Sequence, residues 1–272
     1  MTTLTVRRLG IDLETPPDRH WAGGDAFRTA LFNALSMSFP AGEQLFIDSV
    51  RRGVEALPEA ERARFGDELR DFVAQEATHR HVHQRFNAHL ERQGLVNRWQ
   101  ARIQRRRRRL EPLDPRIWVG ATAAAEHWTA ILAQHLLAHP GLLAGAEPRL
   151  VHLWQWHAAE ELEHRATAFD LYLALGGNQA WRVRLFRLVS WHFVIDLLRQ
   201  TVNNLRRDSS AWRPSTWVSA WRVLFGAEGL VRCNWRPWKR YLAADFHPAE
   251  ADGRSGARWL AAHTELAPPV RR

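Results

Sequence analysis

The sequence predicts an all-α fold: a bundle of four long helices followed by a C-terminal helical extension. Apolar residues recur three and four positions apart over four long stretches, alternating β-branched runs are scarce, and Pro and Gly sit where those stretches start and stop. The first stretch runs from Asp25 to about Arg52 through Phe27, Leu31, Ala34, Leu35, Phe39, Leu45, Phe46 and Val50, with a bend expected at Pro40 and a stop at Gly53. A second opens at Pro58, carries Phe65, Leu69, Phe72, Val73, Ala77, Val82, Phe86 and Leu90, and ends at Gly94, the proline-in, glycine-out order of helices. After an Arg-rich connector, Asp114-Pro115 supplies an N-cap and a first-turn proline for a third helix, which reaches about His139 before Pro140-Gly141. A fourth starts near Pro148 and stops at Gly176-Gly177.

Four segments follow from this pattern: an N-terminal segment over 1–24, the bundle over 25–177, a helical extension over 178–249 packed on the bundle, and a loose tail over 250–272. The part after 177 holds eight of the 14 tryptophans and many arginines, in shorter helical patterns divided by Pro214, Gly226, Gly229 and Pro237.

With 272 residues, 46% of them hydrophobic and 25% charged, the chain can bury one large core, which excludes disordered and collagenous classes. Cys233 is the single cysteine, so no internal disulfide and no Cys pair for zinc exist, and a metal is expected to use His and carboxylates. The formal charge of +9 comes almost wholly from arginine, Lys239 being the only lysine, and this bias reads as compositional. Met1 to Pro17 lacks the apolar run of a secretory signal, and Leu185 to Leu198 is interrupted by Arg187, His192 and Asp196, so neither export nor a membrane span is expected. A cytoplasmic location is the expectation.

The chemistry is carried by a repeat. Glu76-Ala-Thr-His79 in the second helix and Glu161-Leu-Glu-His164 in the fourth are both Glu-x-x-His, which puts a carboxylate and an imidazole one turn apart on one helical face. The helix before each offers one Glu in its apolar stripe, Glu43 and Glu126, the latter following Ala123, Ala124 and Ala125. A lone Glu-x-x-His is usually a solvated face; two of them, each preceded by a helix-borne Glu at similar spacing, predict a dinuclear metal site. This is the ligand pattern of ferritin-like di-iron and di-manganese bundles, in which four carboxylates offset the charge of two divalent ions and one imidazole completes each site. Two Fe ions are expected, Mn or a mixed Fe/Mn pair is compatible, and zinc suits the oxygen-rich set less well.

The segments FPAGEQLF, EATHRHVHQRFN, AAEHWTA, WHAAEELEHRATAFDLY and YLAADFHP, spread over Phe27 to Pro248, resemble the bacterial ferritin-like family known as predicted metal-dependent hydrolases. The ligand pattern itself is similar to that of di-iron carboxylate oxygenases. His157, four residues before Glu161, gives a His-x-x-x-Glu-x-x-His string similar to that of di-iron arylamine N-oxygenases, where the added histidine is a third imidazole ligand. His157 therefore reads either as a seventh ligand or as a histidine beside the site, and His83, four after His79, competes for the same role. The resemblance further implies that the residues preceding each motif, Gln75 and Glu160, support the opposite histidine. His83 stands where ribonucleotide reductase small subunits carry a radical tyrosine, so no stored tyrosyl radical is implied. Ala130 replaces the threonine that oxygenases often carry after the third-helix Glu, leaving Thr122 and Thr129 as stand-ins.

The function expected from the ligand set is activation of O2 to oxidise a small organic substrate, lipid-like or an amine, with an external electron donor. Hydrolysis of an ester or amide by a metal-activated water is the alternative. Arg105 to Arg109, with Arg98 and Arg102, reads as a solvated connector; no nucleic-acid motif accompanies it, so nucleic acid is not an expected partner. Trp181 to Arg199 is a basic amphipathic helix that packs on the bundle or lies on the inner membrane face. A homodimer is the expected assembly.

Overall fold

A computed structural model describes residues 4–270. The fold is all-α, with no named strand among the described residues: α1 (Ala26–Glu55), α2 (Glu59–Arg92), α3 (Trp99–Leu110), α4 (Pro115–Ala138), α5 (Pro148–His164), α6 (Thr167–Ala174), α7 (Gln179–Arg207), α8 (Pro214–Phe225), α9 (Leu230–Arg240) and α10 (Arg254–Ala262). The bundle is made of two helix pairs, α1 on α2 and α4 on α5, joined chiefly where α1 packs on α4.

Helix α1 is capped by the Asp25 carboxylate, which accepts from the Arg28 amide at 2.9 Å, and it runs through Pro40 and past Gly53 to Glu55. A proline inside a helix has no N–H for the carbonyl four residues back. That carbonyl, Ser36 O, accepts instead from Asn87 Nδ2 of α2 at 2.9 Å, so the interruption becomes a tie between the paired helices.

Three departures from the sequence expectations have physical causes. The Arg-rich connector is helix α3, because Arg102 and Arg106 both reach the buried Asp196 of α7 and Arg107 reaches Asp48 of α1. The fourth predicted helix is two, α5 and α6, broken just after His164; the Arg165 side chain ties this break to the carbonyls of Pro248 and Ala251. The tail expected to be loose contains α10, whose Trp259 and Leu260 are buried. A Cβ on Gly256 would lie 2.9 Å from the Ala159 carbonyl oxygen, so this glycine is what lets α10 approach α5 so closely.

Apolar clusters fill the two ends of the bundle. One is built on Phe32, Phe86, Trp154 and Trp156, the other on Phe65, Phe72, Val119 and Leu171. The layer between them is polar.

Candidate metal centre

Glu43 from α1, Glu76 and His79 from α2, Glu126 from α4, and His157, Glu161 and His164 from α5 converge in this layer, all of them buried. Ligating atoms of Glu76, His79, Glu161 and His164 lie within 4.8 Å of one another, as do those of Glu43, His79 and His157. The rings make the layer's walls as well: His164 packs edge-on against Phe72 at 4.9 Å and His79 against Trp156 at 4.9 Å.

Many of these atoms have no hydrogen-bond partner although water cannot reach them: both carboxylate oxygens of Glu43 and of Glu76, Oε1 of Glu126, Oε2 of Glu161, Nδ1 of His79, and Nε2 of His157 and His164. Buried polar groups are almost always paired, and a buried carboxylate without a partner is costly. Such a concentration of orphaned donor atoms fits two divalent cations, whose four positive charges four carboxylates balance.

The electrostatics tell the same story. Burial, then the neighbouring carboxylates, push Glu43 and Glu76 well above the ordinary carboxyl range. Glu126 is raised to about 7, burial outweighing the His164 imidazole that opposes it. Burial acts to raise Glu161 too, but His164, His157 and His79 together hold it down at about 2. Burial would lower His164, yet Glu126 and Glu161 lift it to about 9.

Each histidine is oriented by a partner on its other nitrogen, as ligating imidazoles require. His79 Nε2 lies 2.9 Å from Glu160 Oε2, which leaves Nδ1 facing the site. Glu160 is buried, which raises it to about 8 against the pull of the Arg7 guanidinium, 3.3 Å away. His157 is set by a longer relay. Ser36 Oγ donates to Asn87 Oδ1 at 2.7 Å, so its oxygen accepts from His83 Nδ1 at 2.8 Å. The remaining His83 nitrogen, Nε2, then accepts from His157 Nδ1 at 3.0 Å, and His157 Nε2 faces the site 3.1 Å from Glu161. His83 thus positions His157 instead of replacing it.

Gln75 departs from expectation: its amide donates to the Thr5 carbonyl at 3.0 Å and to Glu163 at 2.9 Å, away from His164. His164 Nδ1 instead lies 2.9 Å from Glu126. Arg7, which also pairs with Glu163 at 2.8 Å, comes from the N-terminal segment and has no signal in the local sequence pattern. Ser36 and Asn87 were likewise outside the motif, although Asn87 lies eight residues after His79 on the same side of α2.

Two apolar cavities meet at the centre. One, of about 70 Å³, is walled by α1, α4, α5 and α7 side chains such as Leu35, Leu136 and Leu197 and reaches His157 and Glu161. The other, of about 170 Å³, runs between α1, α3, α4 and α7 from Glu43 and Glu161, past Trp99 and Phe193, to Arg106 and His192. Phe39, Thr129, Glu161 and Phe193 belong to both. At its outer end, Arg106 and His192 also line a surface groove with Arg102, Arg105, Arg109, Arg199 and Trp191.

The family model described as "Predicted metal-dependent hydrolase" matches residues 5–252, nearly the whole chain. No curated protein and no solved structure matches significantly.

Proposed function

The chain belongs to the family of predicted metal-dependent hydrolases, and we propose that its metal dependence resides in a dinuclear centre held by Glu43, Glu76, His79, Glu126, His157, Glu161 and His164. We infer further that the centre serves oxidation of an amphiphilic substrate with O2. A hydrolytic reading stands beside it, favoured by the family's description. When bound, a pair of iron ions supplies reduction of O2 with electrons from an external donor, whereas a zinc or manganese pair supplies a polarised carbonyl and an activated water.

The observation that carries the oxidative reading is the combination of four carboxylates and three imidazoles opening onto cavities whose walls are apolar. Apolar walls of this kind suit a hydrocarbon chain. Thr129, one turn after Glu126, is the only hydroxyl among the described residues common to both cavities; its Oγ1 donates to the Glu126 carbonyl at 2.9 Å and can hold a proton at the substrate end. The larger cavity leads from the centre to guanidinium groups. Arg102 and Arg106 are committed to Asp196, while Arg105, Arg109 and Arg199 are exposed. A chain with an anionic head would place its tail toward Glu43 and Glu161 and its head among these arginines.

The outer faces of α7, α8 and α9 expose Trp181, Trp191, Trp217, Trp221, Phe225 and Trp235. No helix among the described residues is long and apolar enough to cross a membrane. This aromatic and basic surface suits contact with an anionic lipid layer, from which such a substrate comes.

The test loads metal-free protein anaerobically with Fe2+ and adds O2 and a chemical electron donor in the presence of long-chain carboxylates and phosphates. Two irons per chain, O2 uptake and an oxidised amphiphile are expected, with Arg105→Glu/Arg109→Glu raising KM more than it lowers kcat. Turnover of esters or amides by the zinc or manganese form, without O2 uptake by the iron form, would establish the hydrolytic reading instead.

A further inference from the structure

A second group of metal-binding side chains lies apart from the centre, at the far end of α4. His135 in its last turn and His139 at its C-cap, whose N–H donates to the His135 carbonyl at 2.9 Å, are four residues apart, the i, i+4 spacing at which two imidazoles can share one ion. Their rings are 4.5 Å apart. Cys233, in the first turn of α9, brings its sulfur to them, and the ligating atoms of the three lie within 4.8 Å of one another. Sequence composition alone excluded thiolate from any metal site because the chain has a single cysteine. The fold supplies the imidazoles from another helix.

Two independent observations mark the cluster as a site. His135 is 4% exposed and its Nε2 is buried with no hydrogen-bond partner. A carboxylate stands just outside this group, within reach as a fourth donor: Glu228, in the turn before α9, places Oε2 3.5 Å from His139 Nδ1. That turn is tight, since a Cβ on Gly229 would sit 2.6 Å from the Leu224 carbonyl oxygen, so Glu228 and the start of α9 are held in fixed relation.

The geometry points to a mononuclear site for zinc or a similar divalent transition ion, ligated by His135, His139 and Cys233 with Glu228 as the fourth donor. Two imidazoles, a thiolate and a carboxylate form a tetrahedral set of the kind zinc takes, with metal–ligand distances of about 2.0–2.3 Å. On binding, the Cys233 thiol gives its proton to solvent and the sulfur bonds to the ion. The ion would clasp α9 to α4. Leu136, next to His135, and Leu230, one turn before Cys233, both line the smaller apolar cavity, so the clasp fixes one wall of the proposed substrate site. The site itself does not depend on the dinuclear reading.

Cobalt distinguishes the two sites, because only a thiolate ligand produces an intense near-ultraviolet sulfur-to-cobalt band and Cys233 is the only thiol. Reduced, metal-free protein is titrated with Co2+ as wild type, Cys233→Ser, His139→Ala and Glu126→Ala. The band is expected in wild type and in Glu126→Ala, absent from Cys233→Ser, and shifted to at least about tenfold higher Co2+ in His139→Ala. Zinc content should fall by one equivalent per chain in Cys233→Ser. A wild type saturated with Co2+ that shows no thiolate band, or a band whose midpoint His139→Ala leaves unchanged, would overturn the assignment. A lower number of Co2+ ions bound per chain in Glu126→Ala, with the thiolate band intact, would bear on the dinuclear centre alone.

Discussion

Glu161→Ala is expected to empty the proposed dinuclear centre and abolish activity while leaving the helices folded. The carboxylate of Glu161 lies 3.1 Å from His157 Nε2, 3.6 Å from His79 Nδ1 and 4.0 Å from His164 Nε2. It also faces both cavities, so no other residue touches as many parts of the proposed machinery. Its three imidazole neighbours hold it ionised at about 2 despite its burial, which keeps a negative charge available for a cation at any pH near neutrality. Removing a partner of a ligating histidine typically costs about 10- to 100-fold in metal affinity or activity; removing this carboxylate should cost more. Elemental analysis of the iron-loaded protein should show a drop from two irons per chain to one or none, with helical circular dichroism retained. His81→Ala, at an exposed position on α2, should keep both ions. A Glu161→Ala protein that retained two ions and wild-type turnover would place the chemistry elsewhere.

The parts of the site that were legible in the sequence share one property: they follow from the periodicity of single helices. Glu76 with His79, Glu161 with His164, and His157 on the same face of α5 are fixed by a 3.6-residue turn, and the apolar stripe around Glu43 and Glu126 says that these carboxylates point inward. What periodicity does not encode is which distant side chain meets a given nitrogen. Arg7 reaches Glu160 across 153 positions of sequence. His83 joins Ser36 to His157 only because α1, α2 and α5 are neighbours. Gln75 held the position expected of a histidine partner but turned to Thr5 and Glu163, because the N-terminal segment covers that side of the bundle. The Arg-rich stretch of α3 looked like a solvated connector because its partner, the buried Asp196, lies in α7. The thiol cluster was invisible for the same reason, its cysteine and its histidines being about a hundred residues apart.

The same carboxylates that would bind metal should weaken the metal-free fold, and Glu43 isolates the effect. Neither of its oxygens has a hydrogen-bond partner, it is 2% exposed, and burial followed by repulsion from Glu161 and Glu126 raises its pKa well above the ordinary value. A carboxyl raised in the folded state costs nothing below its unfolded value of about 4.3. The cost grows as pH climbs above that value toward the folded one, because the unfolded chain releases a proton that the folded chain holds. Glu43→Leu should therefore stabilise the metal-free protein at neutral pH by about 1–3 kcal/mol, the usual cost of a buried group left unsatisfied. At about 2–4 °C for each kcal/mol in domains of roughly 150–250 residues, a rise in Tm of several degrees is expected, shrinking toward pH 4. With metal added the order should invert. An ion at a thousand times its dissociation constant adds about 4 kcal/mol to a protein that binds it, and the leucine variant forfeits much of that gain along with its activity. Thermal melts of both proteins with and without metal, at two pH values, test the crossing. A Glu43→Leu variant less stable than wild type in the metal-free state would show that this carboxylate contributes to the fold itself and not only to holding cations.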